Sequence, residues 1–185
     1  MRDTGVISRD IWTHGGGWPL PDLLRSALSS LLLHRQSFSH IYFASPWITD
    51  FDLFDNRFKA YEGIIPRISS TSKIKFSDYL VELSKFCEIR LLSTDNDYTN
   101  GFFSNENIIN ASNIKKKYGD KKFHEKGIIS PFFYFEGSMN ITYSGVRVRG
   151  EKVIYHVNAT EKNSPKIATA LLELDRHWNN LEEIR

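Results

Sequence analysis

The feature that most constrains the fold of this 185-residue chain is the alternation of its hydrophobic period. Segments with apolar residues three and four apart take turns with short runs of β-branched and aromatic residues, an order that suits an α/β fold and neither an all-helical nor an all-strand one. A stripe of Leu24, Leu28, Leu31 and Leu32 opens near Pro21 and Asp22 and predicts a helix to about His34. The run HIYFASPWI, 40–48, predicts a buried strand that ends at a Ser45-Pro46 turn. Tyr79, Leu80, Leu83 and Phe86 predict a helix over 76–86, and EIRLLST, 88–94, a strand directly after it. A weaker helix is expected over 105–117, ending at Gly119, with Lys115, Lys116 and Lys117 at its C-terminal end where the dipole favours cations. Two strand patterns, 122–130 and 132–137, meet at Ser130-Pro131, and a further strand is expected over 151–159. Ser164 and Pro165 open a last helix striped by Ile167, Ala170, Leu171, Leu174 and Trp178. The expectation is an α/β domain over 1–185, a mixed sheet with helices on both faces, with an N-terminal arm over 1–20 and irregular loops over 49–72 and 95–107.

Composition removes several function classes. The single cysteine, Cys87, makes no intramolecular disulfide and no Cys-based zinc site, and it reads as a core thiol in a reducing, cytoplasmic setting. The most apolar stretch, 23–35, is broken by Arg25 and serines, so neither a signal peptide nor a membrane span is expected. His14, His34, His40, His156 and His177 lack metal-ligand spacing, and no metal is expected. Gly145 to Lys152 is a near miss to a phosphate-binding loop, with Glu151 where lysine is needed, and reads as a turn.

The segment 124–152 carries the chemistry. In an extended chain, side chains two apart share a face, so His124 and Lys126 point together while Glu125 points away. Ser138 and Asn140 are again two apart, and Gly137 permits close backbone approach. Four polar groups suited to an anionic phosphate thereby converge.

These residues resemble the phospholipase D superfamily, whose signature is H-x-K followed by G-S-x-N, here His124, Lys126, Gly137, Ser138 and Asn140. The family's glutamate at the start of the next strand has its counterpart in Glu151, and the likeness spans residues 20–180. The family's acid five positions after the lysine is replaced by Pro131. The resemblance implies hydrolysis of a phosphodiester without metal or other cofactor. His124 would attack phosphorus, Lys126, Ser138 and Asn140 would hold the non-bridging oxygens, and Glu151 would orient an imidazole. A second histidine is needed for the leaving oxygen. With one motif per chain, the resemblance implies a homodimer that pairs two His124 side chains. It also implies that Ser45 and Asp50, at the end of the 40–48 strand, stand behind the pocket, and Trp47 is expected in the core or at the pocket wall.

The run 114–126 holds six lysines against Asp120 and Glu125, a net of +4 in a chain whose total is +2. Beside a phosphodiester site, Lys115, Lys116, Lys117, Lys121 and Lys122, extended by Arg147 and Arg149, suit a polyanion such as DNA. A nuclease is therefore the leading expectation. The alternatives are a non-catalytic dimerising or nucleic-acid-binding subunit and a lipid phosphodiesterase. The segments 43–58 and 123–145 are also similar to the phospholipase D-like component of bacterial 7-deazapurine DNA modification and restriction clusters, which implies other cluster proteins as partners.

Overall fold

The computed structural model describes residues 6–12, 19–34, 38–65, 71–158 and 165–184. Among them the chain forms, in order, β1 (Val6–Trp12), α1 (Pro19–Leu33), β2 (His40–Ala44), β3 (Asp52–Asp55), β4 (Lys73–Lys75), α2 (Phe76–Leu83), β5 (Glu88–Ser93), α3 (Asp97–Phe103), α4 (Glu106–Ile109), β6 (Ile114–Tyr118), β7 (Gly127–Ile129), β8 (Phe133–Gly137), α5 (Tyr143–Arg147), β9 (Lys152–Asn158) and α6 (Pro165–Asn179). Seven strands make one sheet in the order β1-β9-β8-β7-β2-β5-β6, while β3 and β4 pair separately. Strands β2, β5 and β6 run parallel, and the pairs from β2 through β7, β8 and β9 to β1 are antiparallel. The sheet is therefore mixed, as the sequence predicts.

The alternation within β2 explains why both sheet faces carry helices. Ile41 and Phe43 join a large core with Leu24, Leu28 and Leu31 of α1 and with Phe76, Tyr79, Leu80 and Leu83 of α2. Tyr42 and Ala44, on the other face, pack with Leu92, Ile129, Leu174 and Trp178. A strand buried on both faces is fully apolar, and its period of two sends alternate residues to different cores. Helix α6 is also tied by charge. The Tyr42 hydroxyl donates to Asp175 at 2.7 Å, and Arg90 donates to the same carboxylate oxygen at 2.7 Å. No helix among the described residues is long and apolar enough to cross a membrane.

Several local expectations are corrected. The N-terminal arm contains β1, seven residues in antiparallel register with β9. Within the loop expected over 49–72, Asp52–Asp55 is a strand, and within 95–107 an asparagine cap starts α3, the Asn96 side chain accepting from Thr99 N at 3.1 Å. The helix expected over 105–117 is instead the short α4 followed by strand β6. Parallel pairing with β5 overrides the weak helical pattern there, and alternation sends successive lysines to opposite faces. Lys115 and Lys117 reach the C-terminal segment, pairing with Glu183 at 3.1 Å and donating to Leu181 O at 2.7 Å, while Lys116 donates to Phe103 O at 3.4 Å. Residues 145–147, the start of the stretch read as a turn, belong instead to α5, with Thr142 accepting from Gly145 N at 3.0 Å as its cap. The expected Ser164 cap of α6 lies outside the described residues.

Candidate active site

The site lies where strands of opposite direction share one sheet edge. The parallel strands β2, β5 and β6 end there, and the lead-in to β7 begins there. A crevice beyond the carboxyl ends of parallel strands is where open α/β sheets bind ligands, because the departing loops surround it. The 45–48 loop is fixed on all sides. Ser45 N donates to Leu92 O at 2.9 Å, and the Pro46 carbonyl accepts from Ser93 Oγ, Thr94 Oγ1 and Asn96 Nδ2 at 3.1, 2.7 and 3.0 Å. Trp47 stands outward from this support and forms a wall of the site.

The cleft, about 480 Å³, is lined by His124, Lys126 and Asn140 together with Trp47, Lys121, Asp95 and Asp120. The residues before β7 reach it through a turn in which Asp120 accepts from Lys122 N at 2.9 Å. The alternation expected for H-x-K is present even though ladder pairing begins only at Gly127. His124 and Lys126 both face the cleft, whereas Glu125 turns toward α6, with Oε1 3.8 Å from His177 Nδ1. His124 is exposed and Lys126 half-buried, and no hydrogen bond or ion pair to another described residue engages either side chain. The cleft is of mixed charge, Lys121 and Lys126 against Asp95 and Asp120.

Behind this surface the second half of the motif is built into the sheet. Gly137 has φ of 149° and its Ser138 N donates to Lys152 O at 3.0 Å; a Cβ on Gly137 would lie 2.1 Å from that same carbonyl oxygen. Only glycine fits there. The Ser138 hydroxyl donates to the buried Glu151 carboxylate and accepts from Lys152 N at 3.1 Å. Asn140 is buried, and its Oδ1 accepts from Ser45 Oγ at 3.3 Å. Ser45 also accepts from Ile141 N at 3.2 Å, so it joins the β2 loop to the loop bearing Asn140. Gly145 lets α5 lie against that loop, since a Cβ there would be 2.3 Å from Asn140 O.

Other sequence-stated candidates lie elsewhere. Asp50 accepts from Ser77 N and Ser77 Oγ at 2.9 and 2.8 Å, holding the start of α2 instead of backing the pocket. Lys115, Lys116 and Lys117 are occupied in the β6 contacts, and Lys122 is exposed outside the cleft lining. Arg147 donates to Asp52 O at 3.3 Å in a different hollow, because the helical turn of α5 separates it from Arg149. Arg149 borders a hollow adjoining the cleft. At Pro131, Ser130 Oγ accepts from Phe132 N and Phe133 N, both at 3.2 Å, so a serine closes the hairpin turn beside the position where the resemblance has an acid. Sequence reasoning missed Asp95 and Asp120 as cleft residues; the Gly119-Asp120 pair after a strand was the available signal. No three His, Cys, Asp or Glu side chains among the described residues gather to hold a metal ion.

No family model and no curated protein matches the chain. Solved structures do. The chain is similar to Nuc from Salmonella typhimurium, a phospholipase D family member, with 17% identity, a TM-score of 0.58, and coverage of 97% of this chain and 99% of that one. It is similar to TrmBL2, an archaeal chromatin protein described with a novel mode of DNA binding, at 11% identity and TM-score 0.55, covering 99% of this chain and 54% of that one. It is also similar to the phosphatidylserine synthase of Haemophilus influenzae Rd KW20, at 12% identity and TM-score 0.56, covering 97% of this chain and 40% of that one. Over nearly its whole length, then, the chain has the fold seen in phospholipase D family members.

Proposed function

We propose that the protein is a phosphodiester hydrolase of the phospholipase D type that cleaves nucleic acid, DNA foremost, as a homodimer. The observation that carries this reading is the convergence of His124, Lys126 and Asn140 on one cleft, with Glu125 turned away. A nitrogen of His124 attacks phosphorus, the P–O bond to the leaving oxygen breaks, and a second imidazole gives that oxygen its proton. Water, deprotonated by the same second imidazole, then displaces the phosphorus from His124. Lys126 and Asn140 supply charge and a donor for the non-bridging oxygens. The Ser138 and Glu151 pair holds the strand ends behind them. One chain has one such histidine, and no described residue orients its ring, so the second imidazole is assigned to His124 of a second copy.

The chain's end-to-end match to Nuc, against its 40% share of the synthase, favours the compact nuclease-like reading over the lipid one. A second reading, a non-catalytic nucleic-acid-binding subunit, is favoured by the likeness to TrmBL2 and by the acidic pair Asp95 and Asp120 in the cleft. The setting we propose for either is a bacterial DNA modification and restriction system with other proteins of that cluster, on the similarity of segments 43–58 and 123–145.

Purified protein incubated in excess chelator with single-stranded DNA, duplex DNA and RNA tests this, with His124→Ala alongside. Cleavage that the variant loses is expected. Cleavage retained by His124→Ala, or abolished by chelation, overturns the mechanism. A light-scattering mass of one chain in an active preparation overturns the shared site.

A further inference from the structure

A second hollow adjoins the cleft, sharing Trp47 and Asn140 with it, and has a volume of about 390 Å³. Its rim is aromatic. Trp47, Tyr98 and Tyr143 line it and are 43%, 70% and 56% exposed, while Arg149 stands at its border. Among the described residues none of the three rings is stacked on another aromatic ring. The lining contains no Leu, Ile, Val, Met or Phe; besides the rings it is Thr49, Asn140, Thr142, Ser144, Gly145 and Arg149. An acyl chain needs aliphatic walls, and this hollow has none. Flat aromatic faces among hydroxyls, beside a cation, match the two sides of a nucleobase and its sugar-phosphate.

The three rings come from three separate supports. Trp47 rides on the loop pinned at the Pro46 carbonyl, Tyr98 is in the capped first turn of α3, and Tyr143 opens α5, which lies directly on the Asn140 loop. Such supports hold rings ready for a ligand instead of collapsed on one another.

We infer that this hollow is a stacking platform for the unpaired bases of a single-stranded nucleic acid whose phosphate lies in the His124 cleft. The inference rests on the phosphodiesterase reading for the position of that phosphate and deepens it by naming the strand state of the substrate. In a duplex each base face is already stacked on its neighbours, so only an unpaired or displaced strand can offer its bases to Trp47, Tyr98 and Tyr143.

The test is a binding measurement on the His124→Ala protein, which separates it from cleavage. Labelled oligothymidylate, an abasic oligodeoxynucleotide of equal length and a blunt duplex of equal charge are titrated by anisotropy. The expected result is roughly tenfold tighter binding of oligothymidylate than of the abasic strand. Adding Tyr98→Ala, at a largely exposed position, should abolish most of that preference and leave abasic binding unchanged. Equal affinity for the thymidylate and abasic strands, or a preference that survives both Tyr98→Ala and Trp47→Ala, overturns the platform even where the native protein cleaves DNA. A drop in assembly mass in Tyr98→Ala also overturns it, assigning the rings to a contact between copies. So does Tyr98-dependent binding to phosphatidylglycerol vesicles without oligonucleotide binding. A native protein that binds bases in this way but cleaves nothing would overturn the hydrolase reading alone.

Discussion

The Lys117 ammonium lies 4.8 Å from the centre of the Trp178 ring and donates to the backbone carbonyls of Trp178 and Leu181 at 2.9 and 2.7 Å. This lysine, which charge patterning assigns to a polyanion, is thus spent on fastening the end of α6 to strand β6. Its neighbours Lys115 and Lys116 are likewise held, and the lysines that line the cleft are Lys121 and Lys126.

Lys117→Met should therefore cost about 2 kcal/mol in urea unfolding, from the lost carbonyl bonds and ring contact. The salt dependence of nucleic-acid binding should not change. Lys121→Ala should do the reverse, leaving stability within about 0.5 kcal/mol and lowering the slope of log K against log salt by about 0.7 to 0.9. A slope altered by Lys117→Met would reinstate the lysine run as a binding surface.

Gly137→Ala should destabilise the fold by roughly 3 kcal/mol, because the residue would keep a left-handed φ while its Cβ met the Lys152 carbonyl. Gly145→Ala, against Asn140 O, should move Asn140 instead, lowering cleavage more than stability. Denaturation curves and rates measured on both proteins check the contrast; equal losses in both quantities for both variants would refute it.

Glu136 gives the acid response a specific origin. Burial pushes its carboxyl up, but hydrogen bonds from His156 and Lys166 outweigh that and hold it below its ordinary value. A carboxyl with a lowered folded value contributes stability that is complete above the ordinary carboxylate range, near 4.5, and disappears as pH falls through the folded value. The same imidazole meets Ser8 Oγ at 2.7 Å and Glu136 Oε1 at 2.9 Å, tying β1, β9 and β8 together. His156→Leu should thus be less stable at pH 6 and lose less between pH 5 and pH 3 than the native protein. Parallel stability curves for the two over that range would contradict the assignment.

Cys87 should be inert in the folded protein. It is buried, and burial, reinforced by the Glu88 carboxylate, pushes its thiol up to about 12. Labelling with a thiol reagent at pH 8 is expected to proceed only in denaturant. Stoichiometric labelling of the native state would show the thiol accessible and lowered.

What the sequence made legible followed its periodicities. Period two placed His124 and Lys126 on one face and Glu125 on the other, and the Leu24 to Leu32 stripe gave α1 its buried side. What stayed illegible depended on partners distant in the chain. Ile114–Tyr118 has strand character only because β5 lies beside it, and β1 only because β9 does. Asp50 follows the β2 loop closely enough to suggest a pocket role, yet it meets Ser77, 27 positions on. Trp47 was equally compatible with core and wall, since an indole suits either, and only the pinned Pro46 carbonyl decides it.

Strand β7 begins at the cleft and runs away from it, so Ser130 and Pro131 close the hairpin at the opposite edge, roughly 20 Å of extended chain from His124. The string that carries the resemblance, contiguous in sequence, therefore occupies two separate places in space, the cleft end proposed to react and a folding end. Pro131, where the resemblance has an acid, lies at the folding end, where Ser130 closes the turn. Pro131→Asp would therefore retune how the hairpin assembles and leave the cleft that holds His124 as it stands.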